Sequence, residues 1–183
     1  AHGGREYTVY GARAQDGYLL YFVDDTYFKA VNKEYREKRP VVCLAAFDNR
    51  DELIRDSLGD EESRITAGVE SALRSWVLEE LGGFTRRLSN GRYLFLTDDA
   101  HIEEAKKKRF RVLDTVREVK NSKNNMSATV SIGVGRGAAD IAQSERWARQ
   151  ALDMALGRGG DQVAVRQEGD TYEFLGGLSK GVE

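Results

Sequence analysis

The sequence predicts an α+β domain built on one mixed β-sheet with flanking helices, preceded by a short β-hairpin and a linker helix. Three observations lead there. From residue 40 onward, amphipathic segments of helix length and apolar runs of strand length follow the order β, α, α, β, β, α, β, α, β, β. Helices joining strands imply crossovers, and the adjacent strands imply a central hairpin in the same sheet. Residues 41–47, VVCLAAF, are apolar without a break, as expected of a strand buried on both faces. Asn90-Gly91 in RLSNGRYLFL is the strongest short-range signal for a tight turn between two strands.

Taken in order, residues 5–24 are two aromatic-rich β segments joined around Asp16-Gly17. Asp24, Asp25 and Thr26 offer N-cap side chains for a helix over about 26–38, with Phe28, Val31 and Tyr35 on one face. Such a helix between two sheet-forming blocks links domains or pairs with a second copy. Arg39-Pro40 ends it, because proline disfavours helical geometry in the residue before it. After the strand at 41–47 comes the polar run Asp48-Asn49-Arg50-Asp51-Glu52, read as a strand end or a helix N-terminus.

A short helix is expected next, then a long one over about 61–81 burying Ile65, Val69, Leu73, Trp76 and Val77, ended by Gly82-Gly83. Strands near 84–88 and 92–97 flank the Asn-Gly turn. A single helix over about 99–119 carries Ile102, Ala105, Leu113, Val116 and Val119, with Lys106 to Arg111 on its wet side. A strand over 127–134 follows, and Gly133 to Gly137 reads as a turn, since it lacks the lysine and Ser/Thr of a phosphate loop. The helix over about 138–157 presents Ile141, Ala148, Leu152 and Ala155. Gly157 to Asp161 ends it, and DQVAVR and TYEFL are the last strands. This is a β-α-β-β-α-β plan with additions, its helices packed mainly on one face. His101 is expected at the surface.

Composition narrows the function. The 183 residues are 40% hydrophobic and 32% charged with a single proline, as in globular chains. A net charge of −2 argues against a nucleic-acid binder that works by broad phosphate neutralisation. The lone Cys43 lies in an apolar run and reads as a buried small hydrophobe, compatible with a cytoplasmic setting. No apolar run approaches the roughly 18 residues of a membrane span. No signal peptide is visible, and Ala1 to Gly4 is set aside as a cloning remnant.

Chemistry would sit where the end of the first sheet strand meets the tip of the central hairpin, since carboxylates at both places hold a divalent metal against a triphosphate. The strand ends in Asp48, but the residue two before it is Ala46, so one carboxylate is available at that alternation. The tip offers Ser89, Asn90, Gly91 and Arg92, with no acid. Two readings stay open: an ordinary turn, or a relic pocket in which Arg92 pairs with phosphate and Ser89 and Asn90 hydrogen-bond. Candidate nucleotide contacts are therefore Asp48, Asn49, Ser89, Asn90, Gly91 and Arg92, with Asp48 the candidate metal contact.

At these residues the sequence resembles the GGDEF domains of diguanylate cyclases. RLSNGRYLFL is similar to their R-x-G-G-D-E-F turn, with Ser89 and Asn90 on the glycines, Gly91 and Arg92 on the acids and Tyr93 on the phenylalanine. SATVSIGVG resembles their fourth strand and ALDMAL their last helix. Their D-x-D-x-F pattern falls on Ala46 to Arg50, so the first metal-ligand aspartate is alanine here. Ile54 and Arg55 replace the usual Asn-Asp pair, the lysine after the last helix is absent, and no R-x-x-D motif precedes the turn. Diguanylate cyclase activity is not expected.

DNRDEL and above all ALDMALGRGGDQVAVRQ followed by FLGG look like a narrower family, the degenerate GGDEF domains of membrane-anchored cyclic-di-AMP phosphodiesterases. That family's order is two transmembrane helices, a PAS domain, a degenerate GGDEF domain and a DHH-type phosphodiesterase domain. The resemblance implies a nucleotidyl-cyclase-like, ferredoxin-like fold. It makes residues 5–25 the last strands of a PAS domain, 26–39 a linker helix, 40–176 the degenerate GGDEF domain and 177–183 the start of a linker to the phosphodiesterase domain. No D-H-H sequence occurs and only His2 and His101 are present, so that catalytic site is expected after Glu183. The implied function is regulation of the phosphodiesterase with weak binding of a purine nucleotide, ATP first. Mg²⁺ would accompany ATP, and Mn²⁺ belongs to the phosphodiesterase domain alone. A slow Mg²⁺-dependent ATPase using Asp48 and a purely dimerising relay are the alternatives. The expected partners are the PAS and DHH domains and a second copy through the linker helix, in the cytoplasmic part of a cell-membrane protein.

Overall fold

A computed structural model of the chain describes residues 4–14, 17–55, 59–89 and 91–176. They divide into two compact units, residues 1–38 and 39–183. In the first, β1 (Tyr7–Ala14) pairs antiparallel with β2 (Gly17–Asp24) in unbroken register from Tyr7↔Asp24 to Ala14↔Gly17. Tyr10 stacks on Tyr21 across the hairpin. Helix α1 (Thr26–Glu37) follows, with Phe28, Val31 and Tyr35 exposed along one side. Of the three N-cap candidates, Asp25 takes the N-cap position without a side-chain cap bond, while Asp24, one residue earlier, accepts through Oδ1 from the Thr26 amide at 3.1 Å and hydroxyl at 2.6 Å. These bonds hold its pKa below the usual carboxylate value.

The second unit begins with β3 (Pro40–Phe47) and continues through α2 (Arg50–Ile54), α3 (Gly59–Glu79), β4 (Phe84–Ser89) and β5 (Arg92–Asp98). Helices α4 (Asp99–Lys107) and α5 (Val112–Arg117), strand β6 (Val130–Gly135), α6 (Ile141–Gly157), β7 (Gln162–Gln167) and β8 (Thr171–Gly176) complete it. The sheet order is β4-β5-β3-β6-β7-β8. Strand β3 is antiparallel to both neighbours, and β6–β7 is the parallel pair, joined by α6. The expected α+β fold with a mixed sheet is what forms.

Pleating sends alternate residues of β3 to opposite faces. Val41, Cys43, Ala45 and Phe47 join Ile65, Val69, Leu73 and Trp76 of α3 and the apolar sides of α4 and α5. Val42, Leu44 and Ala46 meet Ala148 and Leu152 of α6. Helices therefore cover both faces, α3, α4 and α5 on one and α6 on the other, so that they pack mainly on one face as expected. Burial pushes the Cys43 thiol up to about 12.

Three expectations need correction. The helix over 99–119 is two helices, broken where Arg109 and Phe110 take positive φ of 54° and 48°. The Phe110 amide donates to the Ala105 carbonyl at 2.9 Å, closing the C-terminus of α4. The break sends Phe110 into the core, edge-on to Trp76, and its burial offsets a left-handed penalty of about 1–2 kcal/mol per residue. Residues 106–111 are thus not one wet helical face, and Lys106 reaches Glu173 of β8 at 2.6 Å. Second, Gly133 and Gly135 are strand residues rather than a turn. A Cβ at Gly133 would lie 2.1 Å from the Ala148 carbonyl oxygen, and one at Gly135 2.0 Å from that of Ser144. The strand itself starts at Val130, later than the expected 127, after an isolated bridge between Lys120 and Ser127. Third, Ile141 opens α6 at 52% exposure instead of facing the core.

The glycine pair sets a measurable cost. Gly135→Ala must push α6 off the sheet and is expected to lose about 3 kcal/mol in chemical denaturation. Gly137→Ala has open space at a φ of +75° and should lose only about 1 kcal/mol, the left-handed penalty.

Candidate functional site

The end of β3 and the β4–β5 turn do meet. The Phe47 amide donates to the Gly91 carbonyl at 2.8 Å, and Gly91 is buried with φ +74°. One residue on, the Asp48 amide donates to the Thr129 carbonyl at 2.9 Å, so the strand end is held from both sides.

Asp48 is turned into the protein. Its Oδ2 accepts from the Asp161 amide at 2.8 Å and the Ser131 hydroxyl at 3.0 Å, while Oδ1 is buried without a hydrogen-bond partner. Burial raises its pKa, the two hydrogen bonds oppose that, and the nearby Asp161 charge raises it further. Asp161 itself is gripped by Arg117, whose Nε lies 3.0 Å from each carboxylate oxygen. Nothing in the sequence marked Arg117. Ser131 was more legible, as a polar residue inside an otherwise apolar strand.

The remaining expected contacts separate. Asn49 uses its whole side-chain amide on backbone: Nδ2 donates to Ser127 O at 2.9 Å and Oδ1 accepts from Thr129 N at 3.0 Å. Its side chain is therefore a staple for the entry to β6, not a group aimed at a ligand. Ser89 is exposed beside the register shift between Arg87 and Ser89. Asn90 lies outside the described residues. Arg92 is exposed, pairs in register with Ala46, and stands on the α6 side of the sheet with Asp48 and Ser131.

On the opposite side, Arg50 packs against the turn and bonds Glu62 of α3 at 2.8 Å. Its Nε and the Tyr93 hydroxyl are both buried without a hydrogen-bond partner. Burial raises the Tyr93 pKa. The site thus has two polar sides: Asp48, Ser131 and Arg92 on one, Arg50, Glu62 and Tyr93 on the other.

A pair of divalent ions does not fit this donor set. Among the described residues no group of three or more His, Cys, Asp or Glu side chains converges. Asp161 is already neutralised by Arg117, which leaves Asp48 Oδ1 as the one carboxylate oxygen at the strand end without a donor.

Comparison with known proteins identifies the family and the fold. Residues 45–173 match the family described as "Cyclic-di-AMP phosphodiesterase GdpP-like, GGDEF domain". The chain is 33% identical over 165 residues to the cyclic-di-AMP phosphodiesterase GdpP of Geobacillus thermodenitrificans, covering 90% of this chain and 25% of that protein. It is 32% identical to the cyclic-di-AMP phosphodiesterase PdeA of Listeria monocytogenes, with the same 90% and 25% coverage. The chain therefore spans about a quarter of these relatives. An active GGEEF domain of a diguanylate cyclase from Vibrio cholerae superposes with a TM-score of 0.59 at 20% identity, covering 76% of this chain and 92% of that one, a likeness of fold. With the match running from the middle of β3 into β8, the chain belongs to the GGDEF domains of the GdpP-like cyclic-di-AMP phosphodiesterase family.

Proposed function

We propose that this chain regulates the cyclic-di-AMP phosphodiesterase of which it is part, by taking up a purine nucleotide, ATP foremost, weakly and without cyclising it. The observation that supports this is the charge pattern at the end of β3. Arg92 has no ion-pair partner among the described residues and shares a side of the sheet with Asp48, whose Oδ1 is unpartnered. A guanidinium in that position pairs with a phosphate through two parallel hydrogen bonds. Ser89 adds a hydroxyl, and the Gly91 backbone lets the turn approach closely. Asn49 orders the strand end from behind.

Joining two nucleotides requires more negative charge than this. A two-ion clamp on a triphosphate draws on several carboxylates. A single Mg²⁺ would have Asp48 Oδ1 as its protein ligand, and that oxygen is buried, so any ATP hydrolysis here is slow. Phosphodiesterase chemistry and its Mn²⁺ fall to the DHH domain of the longer protein, and residues 5–25 to a PAS domain. No helix among the described residues is long and apolar enough to cross a membrane.

A second reading rests on α1. Phe28 at 68%, Val31 and Tyr35 at 63% exposure form a stripe at helical spacing that a second copy would bury. Signal relay would then run through paired linker helices, with the nucleotide as a modulator.

In calorimetric titrations ATP with Mg²⁺ is expected to bind with a micromolar-to-millimolar Kd and to weaken about tenfold in Arg92→Ala, a loss of about 1.4 kcal/mol. ATP heat that survives both Arg92→Ala and Asp48→Ala, or a cyclic dinucleotide formed from GTP, would overturn the reading. Light scattering should show a dimer that Val31→Asp converts to a monomer; an unchanged mass rules out pairing through α1.

Asp48 gives a pH signature. Its folded pKa lies above its unfolded one, so protonation favours the fold, and stability linked to this group falls as pH rises from about 3.8 until the raised folded value is passed. Thermal melts of Asp48→Asn and the unsubstituted protein should therefore diverge across that window, the Asn form gaining, and run parallel above it. Melts that stay parallel throughout would show that burial does not set this group's charge.

A further inference from the structure

Helix α6 covers only part of its side of the sheet. It lies over β3, β6 and β7, and no helix of residues 39–183 packs on the same side of β4 and β5 among the described residues. Pleating and register fix what lines this lane. On β5, Arg92, Leu94, Leu96 and Asp98 face it, since Tyr93, Phe95 and Thr97 are buried on the other side. On β4, Phe84 stands beside Leu96 and Arg86 beside Leu94. Leu94 and Leu96 extend the apolar cluster that Leu152 and Leu156 of α6 close on the inner edge. Phe84 is 57% exposed.

The charge of the lane is predominantly positive. Arg86 and Arg92 are exposed and have no anionic partner among the described residues, whereas Arg87, on the other face of the same strand, pairs with Glu70. The lane's carboxylate, Asp98, already accepts from the His101 amide and contacts its Nδ1 at 2.7 Å. Its dimensions suit a helix. Two strands side by side are about 10 Å wide, the diameter of a helix with side chains, and six residues of strand run roughly 20 Å, about 13 residues of helix.

We propose that the α6 side of β4–β5 docks an amphipathic helix of an acidic partner protein. Its apolar stripe would pack on Phe84, Leu94 and Leu96 beside α6, and its carboxylates would pair with Arg86 and Arg92. A second copy of this face is a poorer occupant, because a two-fold pairing sets two arginines from each side against a single carboxylate per side, Asp98, which His101 already engages. Arg92 is shared with the proposed nucleotide contacts, but Phe84 and Arg86 lie outside them, so a test through those two residues is independent of that reading.

The test uses the 183-residue protein and a fluorescein-labelled helical peptide of about 14 residues, with Leu on one face and Glu on the other, read by anisotropy. Binding is expected, with about a tenfold loss in Arg86→Glu and a similar loss in Phe84→Ser. Arg86→Glu should in turn gain affinity for the same peptide carrying Lys in place of Glu. Circular dichroism and melting of both variants confirm that the fold is intact; should Phe84→Ser unfold, Arg86→Glu, which changes only an exposed side chain, carries the result. Failure of the Glu peptide to bind, or an affinity unmoved by Arg86→Glu, overturns the proposal. So does binding only to vesicles of phosphatidylcholine and phosphatidylglycerol, which would assign the face to a lipid surface. A concentration-dependent dimer abolished by Phe84→Ser would assign it to a second copy and overturn it too.

Discussion

Two-sided burial of β3 is the constraint on which the other features of the second unit depend. Seven consecutive residues, Val41 to Phe47, are buried, four toward α3, α4 and α5 and three toward α6. A shift of one residue would exchange those sets, placing Phe47 against a helix that packs on alanines and small strand residues. Register is therefore fixed from two directions at once. Ser144 of α6 adds to this at the strand's beginning: its hydroxyl accepts from the Val42 amide at 2.8 Å and donates to the Gly135 carbonyl at 2.6 Å, inserted into the β3–β6 ladder. The close approach this needs is what Gly133 and Gly135 permit.

Fixing β3 positions both of its ends. At the C-terminal end, backbone bonds to the β4–β5 turn and to Thr129 leave Asp48 little freedom, and the carboxylate folds inward onto Ser131 and the Asp161 amide. An acid at a strand end either faces solvent, where it holds cations, or is absorbed into the protein's own hydrogen bonding. Asp48 takes the second course with one oxygen and leaves the other unpartnered. Arg117 neutralises Asp161, so the local field at Asp48 is set by burial more than by a second full charge. At the N-terminal end, the Asp99 amide donates to Arg39 O and the Arg39 guanidinium to Gly137 O. Arg136 grips Asp99 through two hydrogen bonds and Glu103 through a third. Arg39, the second residue after α1, is thus tied to the start of α4 and to the segment between β6 and α6.

The sheet also distributes its surfaces unevenly. The α3 side is closed by three helices and by the break at Phe110, which folds an aromatic ring under the chain. The α6 side is closed over its middle and left open over β4 and β5, where a cationic, partly apolar face remains. The two sides therefore differ in chemistry, one closed and apolar, the other partly open and cationic.

How much of this was legible in the sequence follows from the range of the forces involved. Apolar periodicity and turn chemistry act between near neighbours, so the order of elements, the doubly buried run 41–47, the Asn-Gly hairpin and the isolated position of Asp48 could all be read from residue order. The motifs at 89–93 and 151–167 were enough to reach the family. Contacts between residues far apart in the chain were not readable. Arg117 on Asp161, Asn49 on Ser127 and Thr129, and Lys106 on Glu173 are long-range pairings that no local spacing announces. The left-handed pair Arg109-Phe110 contains no glycine to mark it, and only the Trp76 side of the core explains why the helix breaks there. The sequence by itself settled which residues alternate and where the acids are missing. Tertiary packing decided which way Asp48 turns, where α6 stops on the sheet and which arginines are left without a partner, because each is settled by what lies opposite rather than by what lies next in the chain.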